Sequence, residues 1–131
     1  TLAFNKIMLS FALPKGSDED KKIRTEAIQE ATKYAILTPF KVMKQAFKSM
    51  ELMKEMVEKG NPNSVTDAAV GALCARTAVI GAFMNVRINA SGLNDKDFIA
   101  KIMAEGQDIQ EKSMALESEI IALANKKIEQ N

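Results

Sequence analysis

Apolar side chains recur at spacings of three and four along most of the chain, and each run closes on proline, glycine or asparagine, so the sequence reads as helices throughout. In residues 1–13, Phe4, Ile7, Met8 and Phe11 mark one helical face, and Pro14 and Gly16 end it. Ser17 then supplies an N-cap, and Asp18, Glu19 and Asp20 complement the positive end of the helix dipole. The periodicity continues through Ala27, Ala31, Tyr34 and Ala35, which places Tyr34 in the core. It meets Pro39 and resumes at Val42, Met43, Ala46, Phe47, Met50, Met53 and Val57 before Gly60 stops it. Proline lacks an N–H and clashes with the preceding turn, so Pro39 predicts a kink or a split into two helices. The methionines read as flexible filling for a core.

A second unit follows the Asn61–Pro62 turn. Ser64 is placed as its N-cap, with Asp67 in the reciprocal position of a capping box, and Gly92 as the residue that closes the helix at C′. One stripe of this helix carries Asp67, Gly71, Cys74, Ala78, Gly81 or Ala82, Asn85 and Asn89. Small side chains there permit close approach of another backbone or of a flat ligand. Gly71 and Gly81 each cost roughly 1 kcal/mol against alanine inside a helix, so a packing or binding reason is expected. The last helix starts near Asn94 and Asp95. Ile102, Ile109, Leu116 and Leu123 recur every seven residues in it, and Ile120 widens the seam. At 1.5 Å per residue it spans about 50 Å, longer than a core of this size needs, which predicts self-association. Lys126 and Lys127 complement the dipole at its end. The expected fold is an all-α antiparallel helical bundle with long helices, dimeric, in a single domain over residues 1–131.

Composition narrows the function. The 131 residues are 47% hydrophobic, enough for one core. Lys and Arg number 18 against 17 Asp and Glu, which argues against a nucleic-acid partner or an anionic membrane surface. No stretch of about 20 uninterrupted apolar residues suggests a membrane span, and no signal-like h-region opens the chain. Cys74, flanked by Leu73 and Ala75, reads as a small core residue in a reducing, cytoplasmic setting. The chain has no histidine, which removes Ser-His and Cys-His nucleophile pairs and His-based metal sites, and no metal is expected. Asn85 and Asn89, one turn apart on an apolar helix, then need an explanation. A buried amide without a partner costs on the order of 1 to 3 kcal/mol, so both must bond to a neighbouring helix, a subunit or a ligand.

The stretches LAFNKIMLSFALPKGSDEDKKIRTEAIQEA, GNPNSVTDAAVGAL and GAFMNVRINASGLND resemble, in order and over nearly the whole chain, the cyclodeaminase domain of the formiminotransferase-cyclodeaminase family. The pattern AFNxxM with LPK, the N-x-x-S-x-x-D turn and NVxIN carry the resemblance in combination. It implies an all-helical, dimeric fold that takes a tetrahydrofolate derivative as substrate. The family begins with a glycine-rich TPGGG helix start, further helices and an acidic residue assigned to catalysis, so Thr1 falls just beyond that acid. These 131 residues therefore resemble the C-terminal two-thirds of the fold, without its N-terminal helices.

The implied reaction is conversion of 5-formiminotetrahydrofolate to 5,10-methenyltetrahydrofolate with release of ammonia; the alternative is hydrolysis of the methenyl group. Both centre on cationic amidinium groups that a fixed carboxylate would stabilise. Asp67, in the first turn of its helix, is the candidate catalytic residue, with capping as its competing role. Asn85 and Asn89 are candidates for the pterin ring, with helix registry as the competing role. Lys15 and Arg24 are candidates for the glutamate tail, against plain solvated charge. Arg87 lies on a different face and is read as an interface ion-pair donor. A non-catalytic helical module that dimerises or docks a partner is the reading from another class, and a relative acting on a different cationic one-carbon donor is a third.

Overall fold

A computed structural model describes residues 2–130. Four α-helices account for nearly all of them: α1 (Leu2–Phe11), α2 (Asp18–Lys59), α3 (Val65–Ala90) and α4 (Lys96–Ile128), with one short 3-10 turn, Pro62–Ser64, ahead of α3. The all-α expectation is met. Pairs of contacts fix the directions. Asn89 meets Ala35 and Gly71 faces Met53, so α3 runs against α2. Lys33 pairs with Asp95, Lys44 with Glu105 and Lys54 with Glu119, so α4 returns parallel to α2. These exposed pairs contribute little individually. Their common register nevertheless shows the two long helices lying side by side over much of their length.

The N-terminus of α2 forms as its sequence predicts. Ser17 Oγ accepts from the Asp20 N–H at 3.0 Å, and the Ser17 N–H donates to Asp20 Oδ2 at 3.0 Å, a reciprocal box. That N–H, with the Ser17 hydroxyl, holds the Asp20 carboxyl below the usual carboxylate range. At the other end of the molecule, Lys127 Nζ donates to the Glu58 carbonyl at 2.6 Å and so satisfies one of the free C=O groups in the last turn of α2.

Two clusters make the core. One gathers Ile36, Phe40 and Met43 of α2, Val79, Phe83 and Val86 of α3, and Ile102 and Ile109 of α4. The other gathers Met50 and Val57, Val65, Ala68 and Ala72, and Ile120 and Ala124; Phe47 packs against both. The heptad seam of α4 therefore faces inward as read, with Ile102, Ile109 and Ile120 buried. Gly106 is buried where the Phe83 ring lies directly against its backbone.

Several local expectations are narrowed or corrected. Of the two outcomes predicted at Pro39, the split does not occur: α2 is continuous through it. Ser64 stands at the N-cap position of α3 but makes no side-chain cap bond, because the 3-10 turn leaves it at ψ 11° instead of the extended backbone that capping needs. The turn itself is capped by Asn61, whose Oδ1 accepts from the Asn63 N–H at 3.0 Å. Gly92 follows α3 without adopting the left-handed conformation of a C′ glycine. Cys74 and Tyr34 are both exposed, and Tyr34 lies under the Lys6 ammonium at 4.2 Å. Finally, the segment Pro62–Ala90 is long and apolar enough to cross a membrane by length and composition, although Asp67, Arg76 and Arg87 interrupt it as read. One face of α3 is nonetheless packed into the bundle core.

Candidate functional site

Helices α1 and α3 both run against α2, and beside Pro39 they leave a cleft of about 410 Å³. Ala3, Phe4 and Ile7 of α1 form one wall, Ala35, Thr38, Pro39 and Val42 of α2 the floor, and Asn85 and Asn89 of α3 the other wall. Among the described residues, no ionisable side chain lines it. An apolar concavity with a few convergent polar groups is the usual form of a small-molecule site.

The proline explains one of the two amides. Without an N–H, Pro39 cannot bond to the carbonyl four residues back, so Ala35 is left with a free C=O inside a continuous helix. Asn89 Nδ2 donates to that oxygen at 3.0 Å. Asn89 therefore does set helix registry, by completing a backbone bond that α2 cannot make for itself. It also lines the cleft. Asn85 is different. It is exposed, contrary to the picture of two buried amides, and its Nδ2 donates to Gly81 O of its own helix at 2.9 Å. It bridges to no neighbouring helix, and its place is in the cleft wall.

The remaining sequence candidates lie elsewhere. Asp67 is exposed in the first turn of α3, eighteen residues before Asn85, or about 27 Å at 1.5 Å per residue, so one copy of the chain does not bring it to the cleft. Arg24 is fifteen residues before Pro39, about 22 Å along α2. Its Nε and Nη2 lie 3.4 and 3.2 Å from the Phe11 carbonyl at the end of α1, and its guanidinium sits 5.5 Å from the Phe11 ring centre. That geometry makes Arg24 a cap for α1. Lys15 is exposed in the connection between α1 and α2. Arg87 is exposed, and among the described residues no salt bridge within 4.0 Å holds it. The ion pair that sequence reasoning missed joins Arg76 of α3 to Glu117 of α4 at 2.6 Å, with the Glu117 side chain only 13% exposed.

Sequence reasoning also missed Phe4, Thr38 and Val42 as lining residues, and it treated Pro39 only as a disturbance of its own helix. The signal was present: an interior proline frees a carbonyl, and a nearby amide is a candidate donor. Among the described residues, no group of three or more Cys, Asp or Glu side chains is placed to hold a metal ion.

Comparison with known proteins agrees with this fold. Over 126 residues the chain is 33% identical to the methenyltetrahydrofolate cyclohydrolase of Methylorubrum extorquens, covering 96% of this chain and 61% of that protein. It is 31% identical over 99 residues to the formimidoyltransferase-cyclodeaminase of Rattus norvegicus, covering 76% of this chain and 18% of that larger protein. The crystal structure of formiminotetrahydrofolate cyclodeaminase from Thermotoga maritima superposes with a TM-score of 0.67 at 21% identity, over 98% of this chain and 58% of that one. The chain thus spans about three-fifths of the bacterial relative. The family model described as formiminotransferase-cyclodeaminase matches residues 1–108, and the chain belongs to that family.

Proposed function

We propose that this chain forms the pterin-binding part of a folate-dependent one-carbon enzyme, a formiminotetrahydrofolate cyclodeaminase. The carrying observation is the uncharged cleft at Pro39, in which Phe4 offers an aromatic face and Asn85 and Asn89 stand one turn apart, in a chain related to enzymes named for folate substrates. In the cyclodeaminase reaction, N10 of the protonated substrate attacks the formimino carbon. The N10 proton is transferred to the departing nitrogen, the C–N bond breaks, and ammonia leaves behind the 5,10-methenyl cation. No protein nucleophile is needed, so holding N10 against the carbon is the principal task. The apolar walls restrict water, and the amides orient the ring.

The carboxylate that stabilises the amidinium must come from outside the cleft as one copy forms it. A homodimer supplies one route, through Asp67 of a second copy. Two features support self-association: the outer face of α3 exposes Val70, Leu73, Met84 and Ile88, and α1 exposes Leu2, Phe4 and Leu9. The part of the fold beyond the matched residues is the other route. Cyclohydrolysis is the second reading, supported by the 33% identical relative named for that activity. Lys15 and Arg24 remain proposals for the glutamate tail.

The test adds 5-formiminotetrahydrofolate to the full-length protein and follows methenyltetrahydrofolate by its ultraviolet absorbance. Accumulation supports the cyclodeaminase. Loss of added methenyltetrahydrofolate above the uncatalysed rate, without turnover of the formimino compound, moves the assignment to the cyclohydrolase. Neither activity in a folded protein leaves a binding module.

A further inference from the structure

Three polar side chains line the cleft, and all three donate to backbone carbonyls. Thr38 Oγ1 donates to Tyr34 O at 2.9 Å, Asn85 Nδ2 to Gly81 O at 2.9 Å and Asn89 Nδ2 to Ala35 O at 3.0 Å. A carbonyl can only accept, so each amide is held with its nitrogen toward its backbone partner. The threonine hydroxyl has no second hydrogen to offer. Unfilled at the cleft are Oδ1 of Asn85, Oδ1 of Asn89 and the lone pairs of Thr38 Oγ1; among the described residues no donor reaches them. Each amide retains one further N–H, yet oxygen lone pairs outnumber those hydrogens. Among the described residues, no lysine or arginine lines the walls to attract an anion.

We propose that this cleft reads the hydrogen-bond-donor edge of its ligand, which in a pterin is the 2-amino group with N3–H, and that Pro39 is a positioning residue for that recognition. The inference rests on the folate reading and specifies its polarity. Pro39 acts through Asn89: by withholding its own N–H it keeps Ala35 O available, and that oxygen fixes the orientation of the Asn89 amide. Replacing Pro39 by alanine supplies an intrahelical N–H for Ala35 O and frees Asn89 to turn.

The experiment measures binding of tetrahydrofolate, 6-methyltetrahydropterin and its 2-oxo counterpart to the full-length protein by calorimetry. The expected result is tetrahydropterin binding at least tenfold tighter than the 2-oxo compound. Equal binding of the two, with tetrahydrofolate still bound, overturns the polarity and leaves the folate reading standing. Absence of tetrahydrofolate binding overturns the folate reading and this inference with it. Asn85→Asp keeps an acceptor and retains the preference, whereas Asn85→Leu weakens it. Pro39→Ala lowers the preference several-fold while the melting temperature holds or rises. An unchanged preference in Pro39→Ala removes Pro39 from recognition.

Discussion

The two faces of α3 use similar residues and meet opposite surroundings. Inward lie Ala68, Ala72, Ala75, Val79, Ala82, Phe83 and Val86, all buried against α2 and α4. Outward lie Val70, Leu73, Cys74, Ala78, Met84 and Ile88, all exposed. A helix apolar on every side is ordinarily covered on every side. The inner face is therefore defined by its partners more than by composition: Phe83 fits where Gly106 leaves room, and the alanines admit the side chains of α2. The outer face is equally apolar, with larger side chains and no such lock. Gly71 and Gly81 show the contrast on one helix. A Cβ at Gly71 would stand 2.8 Å from Met53 Sδ, whereas nothing lies within 4 Å of one at Gly81. The expected packing reason exists for the first glycine and not, among the described residues, for the second.

Substitutions can break this contrast. Phe83→Ala empties the inner lock and should lower unfolding free energy by about 3–5 kcal/mol in denaturant titration. A loss under about 1 kcal/mol would mean that the inner face is no better packed than the outer. Gly106→Ala drives a methyl group into the Phe83 ring and should destabilise by about 1–3 kcal/mol, even though alanine is the better helix former. The two amides sharpen the comparison further. Asn89→Ala leaves Ala35 O without its donor and should cost about 1 kcal/mol, while Asn85→Ala should stay within about 0.5 kcal/mol. Equal losses would show that Asn85 also has a structural role. Gly81→Ala should stabilise by about 0.5–1 kcal/mol in a thermal melt, since the new methyl group meets nothing in the chain. Destabilisation there would reveal that the outer face is covered in solution.

The smallest effect concerns acid. Asp20 and Asp95 both have carboxyls held below the usual range, each first by a backbone N–H at the start of its helix, from Ser17 and from Phe98. A lowered folded-state pKa gives stability that is full above the ordinary carboxylate range and is lost as pH falls through the lowered values. The melting temperature should therefore drop more on acidification in the parent than in the Asp20→Asn, Asp95→Asn double variant. Parallel profiles would remove both caps from the acid response.

The helices were legible because their signals are local. Ser17, Gly60, Asp95 and the seven-residue recurrence in α4 each act within a turn or two of their own position. The cleft was only half legible. Asn85 and Asn89 stood out as amides on an apolar helix, but which one faces solvent depends on where α2 lies. The wall contributed by Phe4 and Ile7 depends on how α1 folds back. Asp67 read as a companion of the two amides because it shares their stripe, although eighteen residues of helix set it about 27 Å from Asn85 along the axis. Cys74 and Tyr34 were misplaced for a related reason: apolar neighbours in sequence do not determine which face of a helix is covered.

The bond from Asn89 to the carbonyl opposite Pro39 has a genetic consequence. A fault in one helix is repaired from another, so the two positions form a single heritable unit although they lie far apart in sequence. Starting from the weakened Asn89→Ala chain, a search for second changes that restore stability should return substitutions at Pro39, because any residue with its own N–H closes the gap locally. Revertants of that kind would regain stability without the Asn89 amide, separating by inheritance the repair of α2 from the proposed ligand contact.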